Sequence, residues 1–501
     1  MVNPGRPSGA CELCRKRRIK CDEAKPTCSY CLKKQLPCWF PKSQFEVAWR
    51  DQNQVASNAV RRRLTARNKA SPVAESSGQE IIRPDTFNVP RVLPQDHEDY
   101  ALTFLFNSYL LPSTLSNRQA GFLGCVYPVW TKADDSSPLR PALKAVAQAL
   151  LEAWSFLNPN APQSLARAHY AQGVAAVRRH LQYADDIDDD LLLATLLLDM
   201  YDGIRSFCGA RPHEGPHVRG SAAMIENRRK VPVNSKTSQG TLLGVRSRIV
   251  GDALKKGEHI SPTVLTWTTS MQSSPRSPEL DLEAINVEVA NLQVSALELK
   301  VEAAGIAAFA SELLTKAQEL DERLVAWTAT LPEEWIPYCI SDPAALPRTV
   351  RDAGLYQDYC TVHKSIWTAD TLNIHSCSRI KVKLVTLACL EHVEPPAGNA
   401  QFNARTTLQH LADTICASVP FYLGDRVEVR RIDDRSIKYP QAGNRATPDE
   451  HYIAAAAYGG MFLMKRLMEL LKLGPHLRAG QQQWVLGQMG RIKKIYLARP
   501  S

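Results

Sequence analysis

Six cysteines between Cys11 and Cys38 constrain this chain more than any other feature. They follow the pattern C-x2-C-x6-C-x6-C-x2-C-x6-C: Cys11, Cys14, Cys21, then Cys28, Cys31, Cys38. One half-motif is laid down twice. A C-x2-C step aims two sulfurs at one ion, the arrangement tetrahedral zinc takes. Six thiolates complete two four-coordinate sites only if two of them are shared, and Cys11 and Cys28, which open the halves, are the expected bridges. Two divalent ions and six thiolates leave a charge of −2, which nearby cations offset. A disulfide framework suits secreted chains, and nothing at the N-terminus here resembles a secretory signal. An iron–sulfur cluster takes four cysteines and leaves two over.

The residues between Cys14 and Cys21 say what the metal serves. Arg15, Lys16, Arg17, Arg18 and Lys20 stand there, with Ile19 the one apolar residue. A solvated helix face mixes signs; this run is built for phosphates and base edges. The spacing predicts a helix of about two turns, pinned at both ends by metal ligands and short enough to enter a major groove end-on. Arginine pairs bidentately with guanine O6 and N7 there. The second half carries only Lys33 and Lys34 after Cys31, as a scaffold contacting the DNA backbone would. Nuclear import alone is the blander reading of this charge.

At this point the fragment resembles the fungal binuclear zinc-cluster transcription regulators. The six cysteines, the run Cys14-Arg-Lys-Arg-Arg-Ile-Lys-Cys21 and Pro26 between the halves carry the resemblance. It implies two zinc ions per cluster, and that Arg17 and Arg18 reach the bases of a CGG triplet.

Charge divides the chain. Of 61 Lys+Arg and 51 Asp+Glu, sixteen and five fall in residues 1–70, so that stretch carries +11 and the remainder −1. The nucleic-acid surface therefore belongs to the first seventh of the chain. The reading has three parts: a zinc-cluster DNA-binding domain over 1–43, a basic and flexible linker over 44–96, and an all-helical regulatory domain over 97–501. A heptad frame through Phe45, Ala48, Gln52, Val55, Ala59 and Arg62 has two polar seam positions of six, so no coiled coil is assigned. Arg61–Arg63, Arg67 and Lys69 form a basic patch, and residues 70–96 read as flexible.

From His97 the pattern has a period of 3.6 and no stretch alternates cleanly with period two. The expected helices are 98–111, 139–157, 161–181, 190–207, 217–229, 286–328, 356–375, 380–392, 406–419, 451–473 and 481–497. Residues 231–277, rich in Ser and Thr, read as partly an exposed loop. The fold class is thus a small metal-stabilised two-helix cluster followed by a large all-α array. The array also resembles the middle homology region of the same regulators, through Ser137-Pro-Leu-Arg140, His217–Ile225, Leu331-Pro-Glu-Glu-Trp335 and Ile415–Pro420. No apolar stretch is long enough to span a membrane. Cys125, Cys208, Cys339, Cys360, Cys377, Cys389 and Cys416 form no C-x2-C pair and read as buried reduced thiols.

Enzyme signals are weak. His213-Glu-Gly-Pro-His217 satisfies H-E-x-x-H, but a proline inside a helix breaks the i, i+4 histidine face a zinc protease needs. Pro216 reads instead as the first residue of the next helix. The run Asp185–Asp190 reads as a helix N-terminus rather than an acidic activation segment. His375 with Cys360 and Cys377 reads as core. The expected function is therefore that of a nuclear, sequence-specific DNA-binding regulator of RNA polymerase II transcription, and not of an enzyme. Its partners would be double-stranded DNA and transcription machinery or co-regulators, with homodimerisation left open. The alternative is a helical ligand-sensing or interaction protein whose cluster gives only weak DNA or import contacts.

Overall fold

The structure is a computed structural model and describes residues 10–40, 97–110, 121–154, 165–183, 186–208, 215–228, 235–262, 277–300, 305–393, 398–443 and 445–497. The chain divides into two compact units, residues 1–90 and 91–501. The heptad frame, the basic patch at 61–69 and the stretch 70–96 lie outside the described residues.

The first unit holds two five-residue helices, α1 (Glu12–Lys16) and α2 (Ser29–Lys33). Its interior is the cysteine sulfurs themselves, with Leu13, Ile19, Tyr30, Leu36 and Phe40 packed around them. So few apolar side chains make no core without a metal.

The second unit is built from helices. The first group comprises α3 (His97–Leu105), α4 (Leu123–Trp130), α5 (Leu139–Ala153), α6 (Leu165–Tyr183), α7 (Asp189–Phe207) and α8 (Pro216–Asn227). Asp188 starts α7 by accepting the Leu191 N–H, and Asp189 and Asp190 suit the positive end of the helix dipole. Leu191, Leu192, Leu193, Leu196, Leu197 and Leu198 are then all buried, so the first half of α7 is buried on every side. At about 2 kcal/mol for each leucine taken from water, this helix is the centre of the first group. It packs against α5, α6, α8 and α9. Ser137 ties α5 to it, accepting the Leu139 N–H and donating to Asp190 at 2.7 Å.

The second group comprises α9 (Lys236–Lys256), α10 (Pro278–Ser295), α11 (Ile306–Ala329), α12 (Ile366–Leu390), α13 (Gly398–Ala417), α14 (Val419–Leu423), α15 (Asp449–Ala454), α16 (Gly460–Leu471) and α17 (Gln481–Leu497). Half-buried charge pairs lock it together. Arg466 on α16 pairs with Asp370 on α12 at 3.0 Å, and Asp321 on α11 receives both Arg379 and Lys383 of α12.

Several boundaries differ from expectation. The Ser/Thr-rich stretch holds α9, started by Ser235 accepting the Ser238 N–H and stopped at Gly257 in the left-handed conformation. Its Leu242, Val245 and Val250 are buried, so α9 is core and not exposed loop, while residues 231–234 and 263–276 lie outside the described residues. The single helix expected over 286–328 is two, separated by a 3-10 turn at Ala296–Lys300 and by Gly305. The helix expected at 356–375 starts only at Ile366, and continues without a break to Leu390. Helix α4 was not anticipated, and α13 begins at Gly398 rather than at 406. A two-stranded antiparallel pair, β1 (Tyr338–Ile340) with β2 (Cys360–Val362), breaks the all-α reading. Three residues are too few to show an alternating pattern.

Pro216 opens α8 after Gly215 at φ 69°, and His217 contacts Tyr170 and Asp202. His213 lies outside the described residues. His375 is a core side chain, bonded to the Leu324 carbonyl and stacked on Trp327. The seven outlying cysteines are free thiols; five are buried, Cys208 is half-buried, and Cys339 in the middle of β1 is exposed, contrary to the buried reading. Among the described residues no helix is long and apolar enough to cross a membrane.

Candidate metal centre and nucleic-acid interface

The sulfurs gather as two groups of four: Cys11, Cys14, Cys21 and Cys28, and Cys11, Cys28, Cys31 and Cys38. Cys11 and Cys28 belong to both. Within each group the sulfurs lie within 4.8 Å of one another. Cys11 and Cys28 are 3.8 Å apart, Cys11 and Cys31 3.8 Å, and Cys14 and Cys28 3.7 Å. A tetrahedron with Zn–S bonds of about 2.3 Å has edges of about 3.8 Å. A disulfide needs about 2.05 Å. The donor set and its spacing therefore fit zinc and not disulfides.

The halves repeat at an offset of 17 residues, that between Cys11 and Cys28. In each, the first cysteine sits before the helix and the second within it. The Cys14 N–H points at Cys11 Sγ over 3.5 Å and draws that thiol down to about 6. The Cys31 N–H likewise lowers Cys28. Burial and the neighbouring sulfurs push Cys14 up, and push Cys31 up to about 12. The two thiols of each pair are thus shifted in opposite directions.

Both helices end the same way. The Ile19 N–H reaches back to the Cys14 carbonyl at 3.1 Å, and the Leu36 N–H to that of Cys31 at 2.9 Å. Between them Arg18 and Gln35 adopt left-handed backbone, φ 55° and 49°. This is a Schellman-type stop, with an apolar residue folded back onto the metal core. It turns the chain so that Cys21 and Cys38 return to the sulfurs. The expected two-turn helix is thus shorter: α1 ends at Lys16, Arg17 closes its last hydrogen bond to Leu13, and Arg18 lies beyond it. Arg17 and Arg18 sit on the reversing turn, not on the helix.

Lys16, Arg17, Arg18, Lys20, Lys33 and Lys34 are exposed. Lys16 pairs with Glu12 at 2.9 Å; among the described residues the other five have no ion pair. For Arg15 only the backbone, within α1, is described. The 17-residue offset sets Arg15 against Leu32, Arg18 against Gln35 and Lys20 against Pro37. Leu32 is 68% exposed. The two faces share a backbone and differ in charge.

Two supports were not anticipated. Asp22 accepts the Ser29 N–H at 3.1 Å and the Ser29 hydroxyl, anchoring the start of α2 and lowering its own carboxyl. Its signal was an acid directly after the third cysteine. The Glu12 N–H donates to the Trp39 carbonyl at 3.0 Å and closes the module on itself. Nothing in the sequence marks that contact.

Residues 9–45 match the fungal Zn(2)-Cys(6) binuclear cluster domain. This stretch is a binuclear zinc-cluster domain, and it takes two zinc ions. The chain is 48% identical over 40 residues to an uncharacterized transcriptional regulatory protein of Schizosaccharomyces pombe, covering 8% of this chain and 5% of that protein. It is 34% identical over 70 residues to sterol uptake control protein 2 of Candida albicans, covering 14% of this chain and 10% of that protein. The matches thus span a tenth or less of those relatives. No solved structure matches the chain.

Proposed function

We propose that this protein is a nuclear, sequence-specific DNA-binding regulator of RNA polymerase II transcription. The observation that carries the reading is the charge asymmetry across two halves that repeat one backbone. Two shared sulfurs, Cys11 and Cys28, bridge the zincs, and Cys14, Cys21, Cys31 and Cys38 complete the ligand sets. The first half presents Arg15, Lys16, Arg17, Arg18 and Lys20 to DNA; the second presents Lys33 and Lys34 to the phosphate backbone. Arg17 and Arg18 read a CGG-type triplet through guanine edges. Zinc supplies no reaction here; it fixes the turn on which the two arginines stand.

In this reading residues 1–43 read DNA, 44–96 connect, and 97–501 form a regulatory domain of the middle-homology kind that receives transcription machinery or co-regulators. The similarity to two proteins named as transcriptional regulatory and sterol uptake control proteins supports a regulatory role. A salt titration on CGG-containing and scrambled duplexes tests the proposal. Specific binding keeps a large affinity ratio at every salt concentration, while both affinities fall as salt rises. A ratio near one throughout would overturn it in favour of a helical interaction protein with a merely cationic cluster.

A further inference from the structure

Helix α6 has one side in the core and one along a groove. Ala166, His169, Gly173 and Val177 are buried, and a Cβ on Gly173 would meet the Leu198 side chain at 3.1 Å and the Ala142 backbone at 3.4 Å. Small residues thus let α6 sit close on α5 and α7, which fixes the side that faces outward. That outward side and the start of α8 line an open groove of about 920 Å³.

One wall of the groove is held in place. Tyr170 stacks on Tyr201 with ring centroids 4.5 Å apart, and its hydroxyl lies 2.9 Å from His217 Nε2. Ala171, Val174 and Ala175 give an apolar floor. Arg167 stands toward one end, and Arg178 and Arg179 toward the other. Arg167 and Arg178 are about three helical turns apart, so they share a face and lie about 16 Å from each other along the axis. All three arginines are exposed, and none forms an ion pair among the described residues. No acid is among the residues lining the groove. The acids nearby are engaged: Glu152 with Arg205 at 3.2 Å, Asp188 with His180 at 3.4 Å and Asp202 with His217 at 3.5 Å. The Arg167 charge is felt at Tyr201, together with those of Arg205, Glu152 and Asp202.

Exposed arginines are ordinary singly. Here charge of one sign brackets an apolar floor beside a fixed wall. A small organic acid would meet one end only, so an occupant that meets both has to run along the groove. We propose that this groove docks an acidic amphipathic helix of a partner protein. Its apolar side chains would lie on Ala171, Val174 and Ala175, and its carboxylates at Arg167 and at Arg178 with Arg179. The arginine forks receive carboxylate oxygens in parallel, and the fixed Tyr170 wall reduces the ordering that docking requires. The proposal rests on the reading of 97–501 as the part that receives co-regulators, and gives that part a place and a partner chemistry.

The test titrates the full chain into a fluorescent synthetic helix of about fifteen residues, with leucines along one face and Asp or Glu at both ends. Anisotropy should show saturable binding, about tenfold or more tighter than for the same peptide with serine in place of leucine. Changing both Arg167→Glu and Arg178→Glu should weaken it about tenfold or more. Ala175→Arg adds a cation but fills the floor, so docking predicts weaker binding and attraction by charge alone predicts tighter binding. Absence of saturable binding, equal affinity for the two peptides, or tighter binding by Ala175→Arg would each overturn the proposal. So would groove variants that keep the peptide and lose affinity for a single-stranded oligonucleotide, which assigns the groove to nucleic acid. The substituted positions are exposed, so circular dichroism should match the wild type. Should the double variant misfold, Arg178→Gln alone should still weaken the peptide about threefold, and an unchanged affinity there counts against the site. The same variants should keep the wild-type affinity ratio for CGG-containing over scrambled DNA, so a failure of DNA reading and a failure of docking are seen separately.

Discussion

Arg18 and Gln35 take the same left-handed backbone, at the same point of two repeated half-motifs, and differ only in what they present to solvent. The conformation serves the metal, because it turns Cys21 and Cys38 back toward the sulfurs. The side chain is left free to serve DNA. Arg18→Gly separates the two roles, since glycine adopts this region without strain. The variant should keep two zincs by native mass spectrometry and lose about 1–3 kcal/mol of discrimination between CGG-containing and scrambled DNA. Arg18→Val should strain the turn and weaken zinc binding as well. If Arg18→Gly leaves the affinity ratio unchanged, base reading falls to Arg15, Arg17 or Lys20.

Lys33 holds the position in α2 that Lys16 holds in α1, on the less cationic half. Lys33→Ala should weaken binding to specific and scrambled duplexes alike. The slope of log affinity against log salt should drop by about one. A selective loss on CGG-containing DNA would show that the second half reads bases too.

Sharing of Cys11 and Cys28 between the sulfur groups makes the cysteines unequal. Cys28→Ala removes a ligand from both sites and should reduce bound zinc from two toward none. Cys14→Ala opens one site and should leave about one zinc held more loosely. Metal analysis of full-length variants after mild chelation gives the ratio directly. Equal losses in the two variants would argue against shared ligands.

Gly460 opens α16 against Tyr496 of α17. A Cβ there would lie 2.3 Å from the tyrosine ring, whose hydroxyl accepts the Gly460 N–H at 3.1 Å. Gly460→Ala should destabilise the protein by about 1–3 kcal/mol in urea unfolding, because the ring has to leave its place. Gly251, with open space around its Cβ, provides the control: Gly251→Ala in the middle of α9 should be neutral or stabilising.

Burial holds His375 down at about 4, its neutral ring bonded to the Leu324 carbonyl. An unfolded histidine titrates near 6.5, so between pH 6.5 and about 4 the unfolded chain binds the extra proton. The stability linked to His375 is complete above 6.5 and is lost as pH falls through that window. His375→Gln keeps a donor and cannot ionise. Its stability should fall less steeply there, by up to about 1.4 kcal/mol per pH unit. Denaturant midpoints at pH 7, 6 and 5 measure the difference. His363 and His451, lowered by burial to about 3 and about 4, act in the same direction and remain in both proteins.

The metal chemistry, the two cysteines common to both sulfur groups and the uneven charge of the two halves were legible in the letters alone. These are properties of neighbours in the chain: ligand spacing is set by local turns, and charge is visible in the letters. Helix starts were legible for the same reason at Asp188 and Pro216, where one side chain or one ring decides the local backbone. That α1 stops at Lys16 came from the folded module, because the stop follows from the need to return Cys21 to Cys11, Cys14 and the shared Cys28. Packing also put α9, within the Ser/Thr-rich stretch, into the core, since α9 packs on α7 and α10, which lie elsewhere in the chain. The strands β1 and β2, twenty residues apart and three long, acquire their pairing only from each other. Arg426 is the sharpest case. In the sequence it is one more cation in a charged loop, and only the packing of α17, Tyr439 and His451 around it takes it out of water.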